Sequence, residues 1–581
     1  MFKNLLNRIL PTPAAAPAPT PAPVPVQAPD DVPGADALIV EGNAREDAGQ
    51  LPAAEALYRQ AVARAPSHAR AHLNLGIVLD AQGVEDGAVA AFEAVLAIEP
   101  QHPFGNYNYA RLLVRRGDTG RAWALIDAAL RAKPAFLQAL QLQARVLRDD
   151  GFAEEALATL RQVVELDPTG WLHRSFELLI MNFAEEVGAQ EMHRRHVEFG
   201  AALEAAVPVR FERWRERGDA TRRLRVGYLS ADFIKHPVAF FLAPVLRQHD
   251  RSQVEVFCYS LVTEPDSMTD ELRAATDQWR DVATLSDDDL ATAIHADGID
   301  VLVDLMGHSS LPRLGVFCQR PAPAQVAWLG YLNTTGLARM DFRISDVRCD
   351  PPAVSQPLHT EQLVLMPASQ WCYPDATAWA IDPVPPFERQ GHVTFGSFNV
   401  ALKITPAACR RWAQVMLRVP GSRLLIGAIN SERKRAAILR DITSLGVAGE
   451  RVSFMPRVSS DDYMGLYNSV DITFDTFPYG GGTTTLDSLW MGVPVVAAIG
   501  GTPVSRSAAS VLAALGLDDW IAASVDAFVD VAVARATDLD ALRALRHGLR
   551  ARLQGSLLTE LPRYTRDLET AYRQMWLTKA C

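Results

Sequence analysis

The sequence predicts an α-solenoid of short helical repeats followed by two doubly wound, Rossmann-like α/β domains with a cleft between them. Three observations carry this expectation. A proline recurs every 34 residues through the first third of the chain. After Thr221 the texture changes to short β-rich runs alternating with helical stretches, the pattern of a parallel sheet covered by helices on both faces. A proline-rich break at 383–386 is followed by a second series of the same kind. The 581 residues correspond to about four units at roughly 150 residues each. Hydrophobic residues make up 49% and charged residues 22%, so most of the chain can bury a core.

Residues 1–10 set Phe2, Leu5, Leu6, Ile9 and Leu10 against Lys3 and Arg8. The stretch is amphipathic and lacks the continuous apolar core of a signal peptide. A plain frayed helix and a membrane or partner anchor are its two readings. Residues 11–33 form a Pro/Ala tract that reads as an extended linker, so 1–34 stand apart from the folded chain.

The helical units follow. Pro66, Pro100, Pro134 and Pro168 mark their ends. Twelve residues before each proline stands Ala54, Ala88, Ala122 or Ala156, and eight before stands Tyr58, Phe92, Ile126 or Leu160. A small residue sits early in each unit, at Gly42, Gly76, Ala110 and Ala144. Small residues let the two helices of a unit approach, the large one fills the space between them, and proline ends the second helix. The four units are 35–68, 69–102, 103–136 and 137–170, with a helical connector at 171–222. Period and pattern resemble the tetratricopeptide repeat.

The first α/β domain, 223–388, has strand-like runs at 224–230, 254–260, 299–305, 325–331 and 342–345, with helices such as 239–248 and 288–296. The second, 389–581, has runs at 393–398, 423–426, 451–454, 472–474 and 495–498, with helices such as 406–418 and 484–491. Ligands of such sheets bind beyond the carboxyl ends of the strands.

Composition excludes several classes. With 57 basic against 68 acidic residues the formal charge is −11, which argues against a nucleic-acid binder. No run of 18 apolar residues marks a membrane span. Cys258, Cys318, Cys349, Cys372, Cys409 and Cys581 show no paired spacing and fit free thiols in a reducing cytoplasm. No zinc-ligand spacing occurs, so no metal site is expected. Asp287–Asp289 reads as a helix cap rather than a metal motif.

Four motifs carry candidate chemistry. In 475–494, Gly480, Gly481 and Gly482 free the backbone to curl, and Thr483, Thr484 and Thr485 open a helix whose unpaired amides and dipole favour an anion. The arrangement suits a pyrophosphate. It is neither a Walker loop nor the dinucleotide fingerprint, and the plain alternative is a tight turn with a threonine cap. In 395–406, Lys403 follows a strand and is placed to offer positive charge to a departing phosphate; the alternative is a solvated surface lysine. In 226–237, His236 lies on the exit loop of the first strand, as a base, an orienting group or a structural histidine. The fourth group comprises His308, at another strand exit, and the loop residues Asn333, Thr334 and Thr335, read either as hydrogen-bonding contacts or as a turn.

These repeats and motifs, in this order, resemble the O-GlcNAc transferase family, including its plant SPINDLY branch and its bacterial members. The match covers about 35–581 and rests on 227–233, 320–325, 395–399 and the Gly/Thr loop. The resemblance implies a GT-B fold, two Rossmann-like domains around a nucleotide-sugar cleft. It implies inverting transfer to protein Ser or Thr without a metal or other cofactor, and an acceptor protein gripped by the repeats. Residue by residue, His236 matches the family's active-site histidine and Lys403 its essential lysine. Thr483, Thr484 and Asp487 match donor-contacting positions, Asn399 belongs to the donor side, and His308, Asn333, Thr334 and Thr335 are candidate acceptor or sugar contacts. The large intervening domain of animal members is missing, as in bacterial ones.

The sequence departs from the animal members at Gly482, Ser460, Tyr463 and Val400, which bears on the donor. UDP-GlcNAc leads, with GDP-fucose and a CMP-nonulosonic acid directed to flagellin as alternatives. A repeat adaptor with a decayed transferase half is the rival of another class.

Overall fold

The computed structural model describes residues 30–579 apart from 216–217, 310 and 375–378. The amphipathic start, the Pro/Ala tract up to residue 29 and Cys581 lie outside the described residues, as does the side chain of Ser460. The chain forms two compact units, one ending at Ala132 and the other beginning at Lys133.

The first unit contains three helix pairs: α1 (Val32–Asp47) with α2 (Leu51–Arg64), α3 (Ala69–Ala81) with α4 (Glu85–Ile98), and α5 (Pro103–Arg115) with α6 (Thr119–Ala132). The small-against-large pattern works as expected. A Cβ added at Gly42 would lie 2.4 Å from the Tyr58 ring, and one at Gly76 would lie 2.5 Å from the Phe92 ring. Tyr58, Phe92 and Ile126 are fully buried.

The second unit begins with the fourth pair, α7 (Leu137–Asp150) and α8 (Ala153–Leu166), and the connector helices α9 (Trp171–Met181) and α10 (Ala189–Ala206). Two sheets follow. The first comprises β1 (Leu224–Ser230), β2 (Val254–Ser260), β3 (Gln278–Asp281), β4 (Val301–Asp304), β5 (Ala324–Ala327), β6 (Phe342–Asp346) and β7 (Gln362–Met366), ordered β3-β2-β1-β4-β5-β6-β7. The second comprises β8 (Thr394–Ser397), β9 (Arg423–Ile426), β10 (Val452–Phe454), β11 (Ile472–Phe474), β12 (Val495–Ala498) and β13 (Ile521–Ala522), ordered β10-β9-β8-β11-β12-β13. Every pairing in both is parallel. The central strands β4, β5, β8 and β12 are buried throughout, as strands covered on both faces must be.

In each sheet the order reverses beside the first strand, between β1 and β4 and between β8 and β11. Loops leaving adjacent strands in opposite directions open a crevice there, the ligand position of doubly wound folds. All four candidate motifs leave strands at or beside these two points. The last helix, Leu561–Lys579, does not stay with the second sheet. It packs against α11 (Pro237–Gln248) of the first domain, where Glu569 accepts from the Asp250 amide at 2.8 Å and lies 2.9 Å from His249 Nδ1. Ser286, rather than an aspartate, caps the Asp287–Ala296 helix, and Asp287, Asp288 and Asp289 fill its first turn.

Candidate active site

At the second sheet's reversal point, β8 leads into a 3-10 turn, Ala401–Lys403, and Thr405 then caps the Pro406–Arg418 helix. The turn brings Lys403 across to the loop after β11. Its Nζ donates to the Gly480 carbonyl at 2.8 Å and lies 4.2 Å from the centre of the Tyr479 ring. Burial lowers its pKa to about 8, against the opposing pull of the Asp475 charge. Burial likewise raises the Asp475 carboxyl to about 7, although the Gly481 amide donates to it at 2.7 Å.

The glycines are needed for close approach. A Cβ on Gly480 would lie 2.8 Å from Asp475 Oδ2, and one on Gly481 would lie 2.5 Å from Thr484 Oγ1. Gly482 has ordinary room, its nearest neighbour being the Trp371 ring at 3.6 Å. The Gly480 and Gly481 amides are committed to the Val504 carbonyl and to Asp475. The donors left for an anion are therefore the first-turn amides of the Thr483–Trp490 helix, whose cap, Gly482, supplies no side chain. Thr484 donates to Asn399 Oδ1 at 3.1 Å, and Thr485 donates to the Gly481 carbonyl at 3.1 Å. Asp487 accepts from Tyr373 at 2.7 Å and from Tyr463 at 3.1 Å, and burial lifts its pKa to about 6.

At the first sheet's reversal point, His236 caps α11. Its Nδ1 accepts from the Val238 amide at 3.4 Å and stands 3.7 Å from Asp232 Oδ2. Both contacts use Nδ1, which leaves Nε2 as the nitrogen for a bound molecule. Burial lowers the pKa of the ring and Asp232 opposes that, so the imidazole is neutral at pH 7.

The remaining candidates are built inward. His308 is fully buried, with Nδ1 2.6 Å from Ser175 Oγ on α9 and Nε2 2.9 Å from the Thr335 carbonyl. Burial pushes its pKa down to about 4. Asn333 donates to Asn182 Oδ1 at 3.0 Å, Thr334 donates to Glu361 at 2.6 Å, and the Thr335 amide donates to the same carboxylate. His308 and Asn333 tie the connector to the first sheet, and Thr334 and Thr335 tie their loop to Glu361 beside β7. The structure brings Lys403 together with Gly480, and Asn399 with Thr484, but gives His308, Asn333, Thr334 and Thr335 partners inside the protein.

Three participants carried no assignment from sequence: Asp475, Tyr479 and Phe183. The Phe183 ring, from the connector, stacks on Tyr479 at 4.7 Å between centres. Asp475 opens the glycine motif, so its position was legible; the Phe183 contact joins residues almost 300 apart and has no local signal.

The sequence profile described as Glycosyl transferase family 41 matches residues 203–376 and 389–568. The chain belongs to glycosyl transferase family 41. A tetratricopeptide repeat profile matches 39–103 and 107–170. The family match takes in His236 in its first segment and Lys403 with the Gly/Thr loop in its second. The chain is 35% identical over 421 residues to the "Probable UDP-N-acetylglucosamine--peptide N-acetylglucosaminyltransferase SPINDLY" of Petunia hybrida, covering 71% of this chain and 45% of that protein. To the protein of the same printed activity called SEC, from Arabidopsis thaliana, it is 29% identical over 62% of this chain and 38% of that protein. The chain thus spans less than half the length of these curated relatives. Among solved structures, a point mutant of the Thermobaculum terrenum O-GlcNAc transferase superposes with a TM-score of 0.71 at 30% identity, covering 95% of this chain and 99% of that one. The family 41 architecture, helical repeats followed by two parallel-sheet domains of the GT-B type, is the one observed.

Proposed function

We propose that this family 41 chain is a protein O-glycosyltransferase that moves a sugar from a nucleotide-sugar donor to a Ser or Thr hydroxyl of an acceptor protein held by the repeats. UDP-GlcNAc is the first donor to test, since the printed names of the relatives specify it. The observation that carries the reading is the Lys403 ammonium on the Gly480 carbonyl, beside a helix N-terminus with free first-turn amides. That corner supplies positive charge and oriented N–H groups to a diphosphate.

In this mechanism the acceptor oxygen attacks the anomeric carbon, and the bond from that carbon to the diphosphate oxygen breaks with its electron pair leaving on the diphosphate. Lys403 and the first-turn amides of the Thr483–Trp490 helix take up the developing charge. The hydroxyl proton passes to a base, for which His236 Nε2 is the candidate in the neutral tautomer that carries its proton on Nδ1 toward Asp232 Oδ2, 3.7 Å away, and gives up the 3.4 Å bond from the Val238 amide. No metal or cofactor enters these steps. Five buried free thiols, Cys258, Cys318, Cys349, Cys372 and Cys409, are compatible with a reducing cytoplasm, and no described helix is long and apolar enough to cross a membrane.

The test is donor turnover and transfer by Lys403→Met. Loss of one preorganised charge donor costs about 10²–10³ in rate. Turnover at the wild-type rate in that variant would sink the assignment. A thermal-shift series with UDP-GlcNAc, GDP-fucose and a CMP-sugar identifies the donor, because a ligand that binds only the folded state raises its melting temperature. No shift with UDP-GlcNAc alongside a shift with another sugar nucleotide would replace the donor and keep the chemistry.

A further inference from the structure

Lysine is rarely buried without a partner, yet Lys434, on the Glu432–Thr443 helix, is only 4% exposed and has no carboxylate in ion-pair range among the described residues. Its Nζ instead donates to two backbone carbonyls, Gly151 at 2.6 Å and Ile404 at 2.7 Å. The Phe152 ring lies 5.1 Å from the same nitrogen. Gly151 and Phe152 form the turn between the two helices of the fourth repeat. Ile404 directly follows Lys403.

The same turn of the repeat presses on the lysine-bearing turn from a second direction. Gly151 has a φ of +90°, and a Cβ there would lie 2.6 Å from the Ala401 carbonyl carbon. A third hold comes from the connector. Thr405 donates through Oγ1 to Glu185 at 2.5 Å, and Glu185 also pairs with Arg411 at 3.4 Å. Residues 401–405 are thus fixed at Ala401, Ile404 and Thr405, and each hold involves the fourth repeat or the connector. Nothing in the chemistry of transfer calls for a buried lysine bonded to the residue that follows Lys403. A lysine that bridges two carbonyls from different parts of the fold is instead suited to setting the distance between them.

We propose that Lys434 is a positioning residue for Lys403, a clamp that transmits the setting of the last helical repeat to the phosphate end of the donor site. It acts through the Ile404 carbonyl and touches no substrate. The proposal rests on Lys403 facing the diphosphate for its catalytic meaning, but the clamp itself is measurable without a donor.

The experiment is competitive acetic anhydride labelling of the full chain across pH, with the Lys403 peptide read by mass spectrometry. In the wild type the Lys403 midpoint is expected near 8, since burial lowers it to about 8. In Lys434→Met its midpoint is expected to rise by about one pH unit or more toward the ordinary lysine value of about 10.4, as the turn loosens and the ammonium reaches water. The exposed Lys235 serves as internal reference. Lys434→Arg, which keeps donors for both carbonyls, is expected to restore most of the shift. A merely structural role would lower the melting temperature and leave the Lys403 midpoint in place, so an unchanged midpoint in folded Lys434→Met overturns the proposal. Should that variant fail to fold, Gly151→Ala reads the same coupling from the repeat side, and an unchanged midpoint there overturns it equally. Donor turnover separates the two claims. If Lys403→Met keeps wild-type turnover, the catalytic reading fails while the labelling result stands.

Discussion

Lys403 and Asp475 share the second sheet's reversal point, and each charge depends on the other. Burial brings the lysine down to about 8 and the carboxyl up to about 7. If the protonated lysine carries catalysis, kcat/KM falls as pH rises through about 8. His236, lowered by burial, is required neutral, so an acid limb is expected on the acid side of the ordinary histidine range. A bound diphosphate favours the charged lysine, so the alkaline limb of kcat should stand at higher pH than that of kcat/KM. Rates measured from about pH 5 to about pH 10 decide this, and coincident alkaline limbs would count against contact between Lys403 and the diphosphate. At this scale the sequence was readable where chemistry is contiguous. Gly480–Thr485 stood out through residue types that a plain turn does not need, whereas Lys403 by itself read equally as a surface lysine and gained its place only through the bond to the Gly480 carbonyl. His308, Asn333, Thr334 and Thr335 look the same in sequence as ligand contacts, since they are polar residues on loops beyond strands. Of their partners, Ser175 and Asn182 lie about 130–150 residues away on the connector and Glu361 lies beside β7, so they emerge only from the packing of the fold.

Elements were legible in proportion to their burial. The repeat helices follow from a period that fixes both the helix ends and the residues facing each other across a pair. Central strands appear as apolar runs because both of their faces are covered. The strands that the apolar-run reading does not reveal, β3, β7 and β13, are all at sheet edges. β3 is partly exposed along its length, and β13 has two residues, so neither offers such a run. The helix pairs allow a quantitative check. Gly76 sits where any Cβ meets the Phe92 ring, so Gly76→Val must separate α3 from α4 or displace a fully buried ring. Overpacking of this kind costs about 1–3 kcal/mol, offset only by about a few tenths of a kcal/mol from replacing a helical glycine with the β-branched valine. Denaturant unfolding should show a lower midpoint for the first unit, whereas Gly83→Ala, at a turn with a φ of +77° and open space around it, strains only the backbone.

At the level of the whole molecule, the boundary between compact units does not coincide with the boundary between the repeats and the two parallel sheets. Three helix pairs belong to the first unit, and the fourth belongs with the sheets. Its turn at Gly151 and Phe152 holds residues 401–405, and the connector behind it holds Thr405 and Tyr479. A chain beginning at Lys133 retains all of these contacts, so it should keep a sugar-nucleotide thermal shift and donor hydrolysis within a few-fold of the full chain. Transfer to a protein acceptor should drop by about tenfold or more, since a single repeat offers little of the extended surface that such arrays use for binding. A chain beginning at Thr169 removes Gly151 and Phe152 and leaves Lys434 with one carbonyl. Donor hydrolysis itself should then fall by about tenfold or more, a loss set by positioning since every residue of the Gly/Thr loop is still present. Equal donor hydrolysis by the two truncated chains would show that the fourth repeat serves the acceptor alone, and that the lysine turn is held without it.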